Sequence, residues 1–139
     1  MIGLAFLLML QAASPATQDL PRSHREGAGP STMCGITAAD AKGLRAMVEA
    51  DSRFIVGDGG SRFELFATPD QMIQWTFAKP GEAAFPSASC REVMRTADGS
   101  LSMKRDLRCD ADRVACDKLA LEYGDLDARL TRALQGKTE

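Results

Sequence analysis

Along this chain, segments whose apolar residues recur every three or four positions give way to segments whose apolar residues recur every two. The first segment shows neither period. Residues 2–10, Ile-Gly-Leu-Ala-Phe-Leu-Leu-Met-Leu, are uncharged and apolar throughout. The run is too short for a membrane span, which needs about 20 residues, and has the length of a signal-peptide core. Gln-Ala-Ala-Ser-Pro-Ala-Thr follows, with Ser14 and Ala16 spaced as cleavage positions, so processing is expected after Ala16, with Ala13 as the second position. No Lys or Arg precedes the run, which leaves only the α-amino group to charge that end. The rival readings are a buried N-terminal strand or an uncleaved anchor. No cysteine lies near the cleavage position to take a lipid.

Thr17 to Ser31 contains Pro21, Gly27, Gly29 and Pro30 among serines and charges, and reads as a flexible, solvated leader over 17–31. The single histidine, His24, lies here between Ser23 and Arg25. A catalytic histidine needs a rigid orienting neighbour, and this segment offers none.

One stapled domain is expected over 32–135, with a short tail at 136–139. Thr37-Ala-Ala-Asp40 has the pattern of a helix start, with Thr37 as N-cap and Ile36 packing on Ala41 as a staple. Leu44, Met47 and Val48 continue at helical spacing and predict a helix over 38–51. Gly43 weakens that helix by up to about 1 kcal/mol. Period two then takes over. Phe54-Ile-Val56 ends at Gly57-Asp-Gly-Gly60, and Phe63, Leu65 and Ala67 alternate with Arg62, Glu64 and Phe66. Pro69-Asp70 supplies a turn, and Ile73, Trp75 and Phe77 alternate with Met72, Gln74 and Thr76. Lys79-Pro-Gly81 closes that strand, and Pro86 interrupts the loop after it.

Cys90–Thr96 and Leu101–Arg108 flank Asp98-Gly99, a strong hairpin signal. A two-residue turn there sets Met94 against Met103 and Cys90 against Leu107, so that Cys90, Met94, Leu101, Met103, Leu107 and Cys109 share one face. Asp110 or Asp112 then caps a final helix. Its apolar stripe is Cys116, Leu119, Tyr123, Leu126, Leu130 and Ala133, with Gly124 as a point of kinking or splitting. The predicted fold is α+β: an antiparallel four- to five-stranded meander with an N-terminal and a C-terminal helix packed on one face.

Composition narrows the function classes. The chain has 139 residues, 45% of them apolar and 26% charged, which suits one globular domain. Lys and Arg number 17 against 19 Asp and Glu, and the net charge of −2 gives no electrostatic case for nucleic acid. Removing 16 of 139 residues takes away no charge and leaves 123.

Four cysteines in an exported chain favour disulfides. Cys109–Cys116 would clasp the strand-to-helix corner and leave Cys34–Cys90 to staple the first helix to the sheet. The rival set is Cys90–Cys109 across the hairpin with Cys34–Cys116. Gaps of 55, 18 and 6 residues between successive cysteines lack the close pairs a zinc site wants.

Other constellations have plainer explanations. Asp110-Ala-Asp112 with Asp117 begins like a calcium loop but runs into Arg113 and Val114, and acidic residues suit a first helical turn. Gly57-Asp-Gly-Gly-Ser61 precedes a strand rather than the helix an anion nest usually opens. Met47, Met72, Met94 and Met103 each fall on a predicted apolar face, which favours packing over a soft-metal site. Ser87 and Ser89 have no activating neighbour. Cofactors and metals are therefore not expected. Trp75, Phe77 and Phe85 are the candidate interaction surface.

Trp75-Thr-Phe-Ala-Lys-Pro-Gly81, then Pro86, and Cys109-x6-Cys116 opening a helix resemble a family of small secreted bacterial proteins with no assigned activity. The resemblance covers roughly residues 63–134. Family members tend to carry histidines between that Gly and Pro, whereas Gly81-Glu-Ala-Ala-Phe-Pro86 has none, and Glu82 and Phe85 are poor replacements. The resemblance implies export and a Cys109–Cys116 bridge.

Three functions follow as expectations. The first is a periplasmic or secreted, non-enzymatic module that binds a protein or envelope partner, without a transmembrane span in the mature chain. The second is a hydrolase with a carboxylate pair drawn from Glu64, Glu82, Asp110 and Asp112. The third is a carrier of a small apolar ligand on the sheet face around Trp75.

Overall fold

The computed structural model describes residues 23–24 and 29–136. The expected signal segment 1–16, most of the leader and the tail beyond Gly136 lie outside the described residues. The elements run β1 (Ser23–His24), β2 (Ser31–Met33), β3 (Ile36–Ala38), α1 (Ala41–Glu49), β4 (Ile55–Gly57), β5 (Phe63–Ala67), β6 (Ile73–Ala78), β7 (Ser87–Arg95), β8 (Leu101–Cys109) and α2 (Arg113–Gly136). Strands β4 to β8 form the antiparallel meander, in the order β8-β7-β6-β5-β4. β1 adds to β8 in parallel, and β2 and β3 make a separate hairpin. The α+β class and the five-stranded meander match the alternation read along the chain.

The placement of the helices does not. Trp75 lies opposite Phe66 on one side and Cys90 on the other, with Phe77 opposite Ala88. Against this face α1 lays Ala41, Leu44 and Val48, and the β2–β3 hairpin lays Met33 and Ile36. Successive strand residues point to opposite faces, so Leu65, Thr76, Ser89 and Leu107 form a row on the reverse side. There α2 lays Cys116, Leu119, Ala120 and Tyr123. The helices cover opposite faces of the sheet, and the expectation of both on one face is corrected.

The physical cause is a single residue in the β7–β8 turn. The loop holds three residues, Ala97, Asp98 and Gly99, closed by Thr96 N–H to Ser100 O at 2.8 Å and Gly99 N–H to Thr96 O at 3.0 Å. Gly99 takes the left-handed position, φ +84°, which an L side chain resists. Met94 therefore pairs with Ser102, Cys90 with Asp106, and Leu107 with Ser89. A one-residue slip moves a strand's side chains to the other face of its partner. The expected common face splits: Cys90 and Met94 go to the α1 side, and Leu101, Met103, Leu107 and Cys109 to the α2 side.

The same split settles the cysteines. Cys34–Cys90 lies on the α1 side with Cα atoms 6.4 Å apart, and Cys109–Cys116 on the α2 side at 5.7 Å. Each core thus contains one disulfide. Cys90 and Cys109 face away from each other, so the bridge across the hairpin does not form.

Helix ends also differ from expectation. Asp40, not Thr37, is the N-cap of α1, its carboxylate accepting the Gly43 N–H at 2.8 Å. Thr37 belongs to β3, and its hydroxyl meets that of Thr32 at 2.7 Å. The unforeseen β2–β3 hairpin turns at Cys34-Gly35, both at positive φ, and its use of residues 36–38 delays the helix. Asp112 caps α2 by accepting the Ala115 N–H at 3.0 Å, and the helix runs through Gly124 unbroken. Met47 and Met94 stand 53% and 40% exposed rather than packed.

Candidate binding site beneath the C-terminal helix

Trp75 and Phe77 offer no surface, being 0% and 1% exposed. Their rings stack at 5.8 Å in the core beneath α1, and the Trp75 indole N–H has no acceptor among the described residues. Their alternation with polar neighbours suggested a half-open sheet, but here both faces are covered. Phe85 is half-buried, with the Lys42 ammonium 5.5 Å from its ring centre.

The four carboxylates proposed for hydrolysis are each committed to a different partner. Glu64 is bonded to Arg45 on α1. Glu82 accepts from Arg62, which also reaches Glu122 at 3.1 Å. Asp110 accepts from Arg108 at 2.6 Å and from the Ala41 N–H at 2.8 Å, joining β8 to the start of α1. Asp112 holds its helix cap. They do not converge on one cleft. All four cysteines are bonded to each other, and among the described residues no group of three His, Cys, Asp or Glu is placed to hold a metal ion.

A convergent polar cluster does occur, between the sheet and α2. One cross-strand row runs Ile55, Ala67, Gln74, Arg91, Arg105 from the β4 edge to β8, and all five project toward the α2 side. Arg105 is almost fully enclosed. It donates to Asp127 on α2 through two bonds of 2.7 Å, donates to the Ser89 hydroxyl at 2.7 Å, and stacks 4.2 Å from the Tyr123 ring centre. The Tyr123 hydroxyl in turn meets Thr76 at 2.7 Å. Burial raises the Tyr123 pKa, with the Thr76 bond and the Arg105 charge opposing.

Arg91 is different. It sits directly opposite Arg105, and like charges so placed repel. Its Nε is buried without a hydrogen-bond partner. Burial pushes its pKa down, the Arg105 charge pushes the same way, and Asp127 pulls back. The group stays a cation at neutral pH. Two guanidinium groups against the single Asp127 carboxylate leave one positive charge uncompensated. Beside this cluster, a groove of about 310 Å³ between α2 and β5 is lined by Phe63, Leu119, Tyr123 and Leu126, with Glu122, Asp125 and Arg129.

Sequence reasoning missed this cluster. The chain shows only that arginines occur inside both strands of the hairpin, Arg91 on β7 and Arg105 on β8; the register alone brings these two together on the α2 side. No helix among the described residues is long and apolar enough to cross a membrane. No family model matches the chain, and neither the curated proteins nor the solved structures contain a significant match to it.

Proposed function

We propose that this chain is an exported, non-enzymatic binding protein that recognises an anionic partner, a protein or an envelope component, through the cluster beneath α2. The observation that carries the reading is Arg91: a half-buried guanidinium facing a second arginine, with its Nε unpaired. Arg91 is a partly desolvated cation beside Arg105, and the nearby Asp127 carboxylate is already forked by Arg105, so a bound anion would relieve an unfavourable charge balance. The apolar run at residues 2–10 and the two disulfides support export to an oxidising compartment. The separate engagement of Glu64, Glu82, Asp110 and Asp112 favours binding over acid–base hydrolysis.

The test is amide and arginine side-chain NMR of the oxidised protein during titration with phosphate, acetate, an acidic peptide and a neutral sugar. Shifts at Gln74, Arg91 and Arg105 with anions alone are expected. Equal response to the neutral sugar, or no response to any anion, would overturn the reading.

A further inference from the structure

Resting on the anion-recognition part of that reading alone, and replacing its macromolecular partner with a small one, we infer that the ligand is a free single-chain carboxylate with an apolar tail, its head held by Arg91 and Gln74 and its tail laid across the sheet toward Ile55.

The row that contains Arg91 is polarised along its length. Its β7 and β8 end carries the two facing guanidinium groups, its centre the half-buried Gln74 and the small, buried Ala67, and its β4 end Ile55, which is 58% exposed. Leu65, half-buried, lies on the same face one row away. Adjacent strands lie about 4.8 Å apart, so three steps from Arg91 to Ile55 span about 14 Å. A ligand matching this row has one anionic end and an apolar body about that long.

Charge and shape select the head group. The uncompensated charge is a single one, which suits a monoanion. A guanidinium presents its donors in a planar fork that a carboxylate fits with two parallel bonds. Gln74, directly opposite Arg91 on the other side, has a side-chain amide N–H₂ to add. A bilayer surface fits less well, because Arg91 is half-buried on the sheet face that carries α2. A single chain can lie along one row of a sheet where a planar array of head groups cannot enter.

Decanoate is the probe, with acetate, decyltrimethylammonium and phosphatidylglycerol vesicles as comparisons, followed by calorimetry and NMR on the oxidised chain. Decanoate should bind at least tenfold more tightly than acetate, and the cationic decyl compound should not bind detectably. Arg91→Met should lose decanoate affinity tenfold or more while its melting temperature holds or rises, since Arg91 gives up no side-chain hydrogen bond and its removal relieves the repulsion with Arg105. Ile55→Ser should weaken decanoate but leave acetate unchanged. Undiminished decanoate binding by Arg91→Met, or equal binding of the cationic compound, would overturn the inference. So would binding to vesicles without binding to free decanoate. If decanoate fails while phosphate or an acidic peptide perturbs Arg91, the ligand class falls and the binding function stands. If no anion perturbs Arg91, both fall.

Discussion

Asp127 and Arg105 are joined by two parallel hydrogen bonds of 2.7 Å, which tie the middle of α2 to the far strand of the meander. The Arg105 side chain is 5% exposed and Asp127 is 20% exposed, so this pair is largely shielded from water. Breaking such a pair by removing one partner is far more damaging than replacing both.

Asp127→Ala should therefore destabilise the protein by about 3 kcal/mol in urea denaturation, since it strands Arg105 beside Arg91. Arg105→Met combined with Asp127→Leu should recover most of that loss. A double variant as unstable as the single one would show that the fork itself, not the stranded charge, sets the effect.

Tyr123 is the only tyrosine in the chain, so the ultraviolet absorbance of tyrosinate reports it alone. Its folded pKa is raised above the ordinary value of 10.0, chiefly by burial. Above pH 10 the unfolded chain then binds fewer protons than the folded one, and stability falls as pH rises. Absorbance should lag behind free tyrosine and rise with unfolding. Tyr123→Phe should flatten the alkaline loss of stability; a midpoint at or below 10 in the folded protein contradicts the burial argument.

The two disulfides should differ in weight. By loop closure, Cys34–Cys90, with a sequence separation of 56, contributes about 4 kcal/mol, and Cys109–Cys116, with a separation of 7, about 2 kcal/mol. Replacing both members of each pair by alanine should reproduce that order in urea midpoints. The unreduced mass should be four hydrogens below the reduced one. Rapid alkylation of the native protein at any cysteine would count against structural bridges.

Two glycines should respond to alanine in opposite ways. Gly124 lies inside α2 with nothing within 4 Å of an added methyl group, so Gly124→Ala should stabilise by about 1 kcal/mol. Gly99 is equally open but has φ +84°, and Gly99→Ala should destabilise by about 1 kcal/mol. Thermal melts of the two variants decide it, and shifts of the same sign would contradict the assigned backbone conformations.

Export predicts a mature start at Thr17 or Ser14, read by N-terminal sequencing of protein from its native host. A start at Met1 in cytoplasmic material would defeat the compartment argument.

How far the sequence carries depends on which interaction decides each element. The α2 stripe of Cys116, Leu119, Tyr123 and Leu126 was legible because a helix repeats its own geometry and needs no partner to set its phase. The turns at Pro69-Asp70 and Lys79-Pro-Gly81 were legible because proline and glycine restrict backbone angles locally. Strand faces were not. Asp98-Gly99 reads equally well as a two-residue turn or as the end of a three-residue one, and that difference reverses where Cys90 points relative to Leu107. From that followed the misplaced helix. Trp75 and Phe77 were misjudged for a related reason: a sheet covered on both faces loses the polar-outward pattern that exposes one side. The Arg91–Arg105 pairing depends on the same register, and so no inspection of the linear chain brings it into view.

The position of the cysteines on opposite sides of the sheet has a chemical consequence. Once β7 and β8 have paired, the thiols of Cys90 and Cys109 are separated by a wall of hydrogen-bonded backbone, and each can reach only the partner on its own side. The meander thereby acts as a partition that sorts thiols before oxidation. Native connectivity becomes a consequence of chain folding alone, and exchange between the two bridges requires the sheet to come apart.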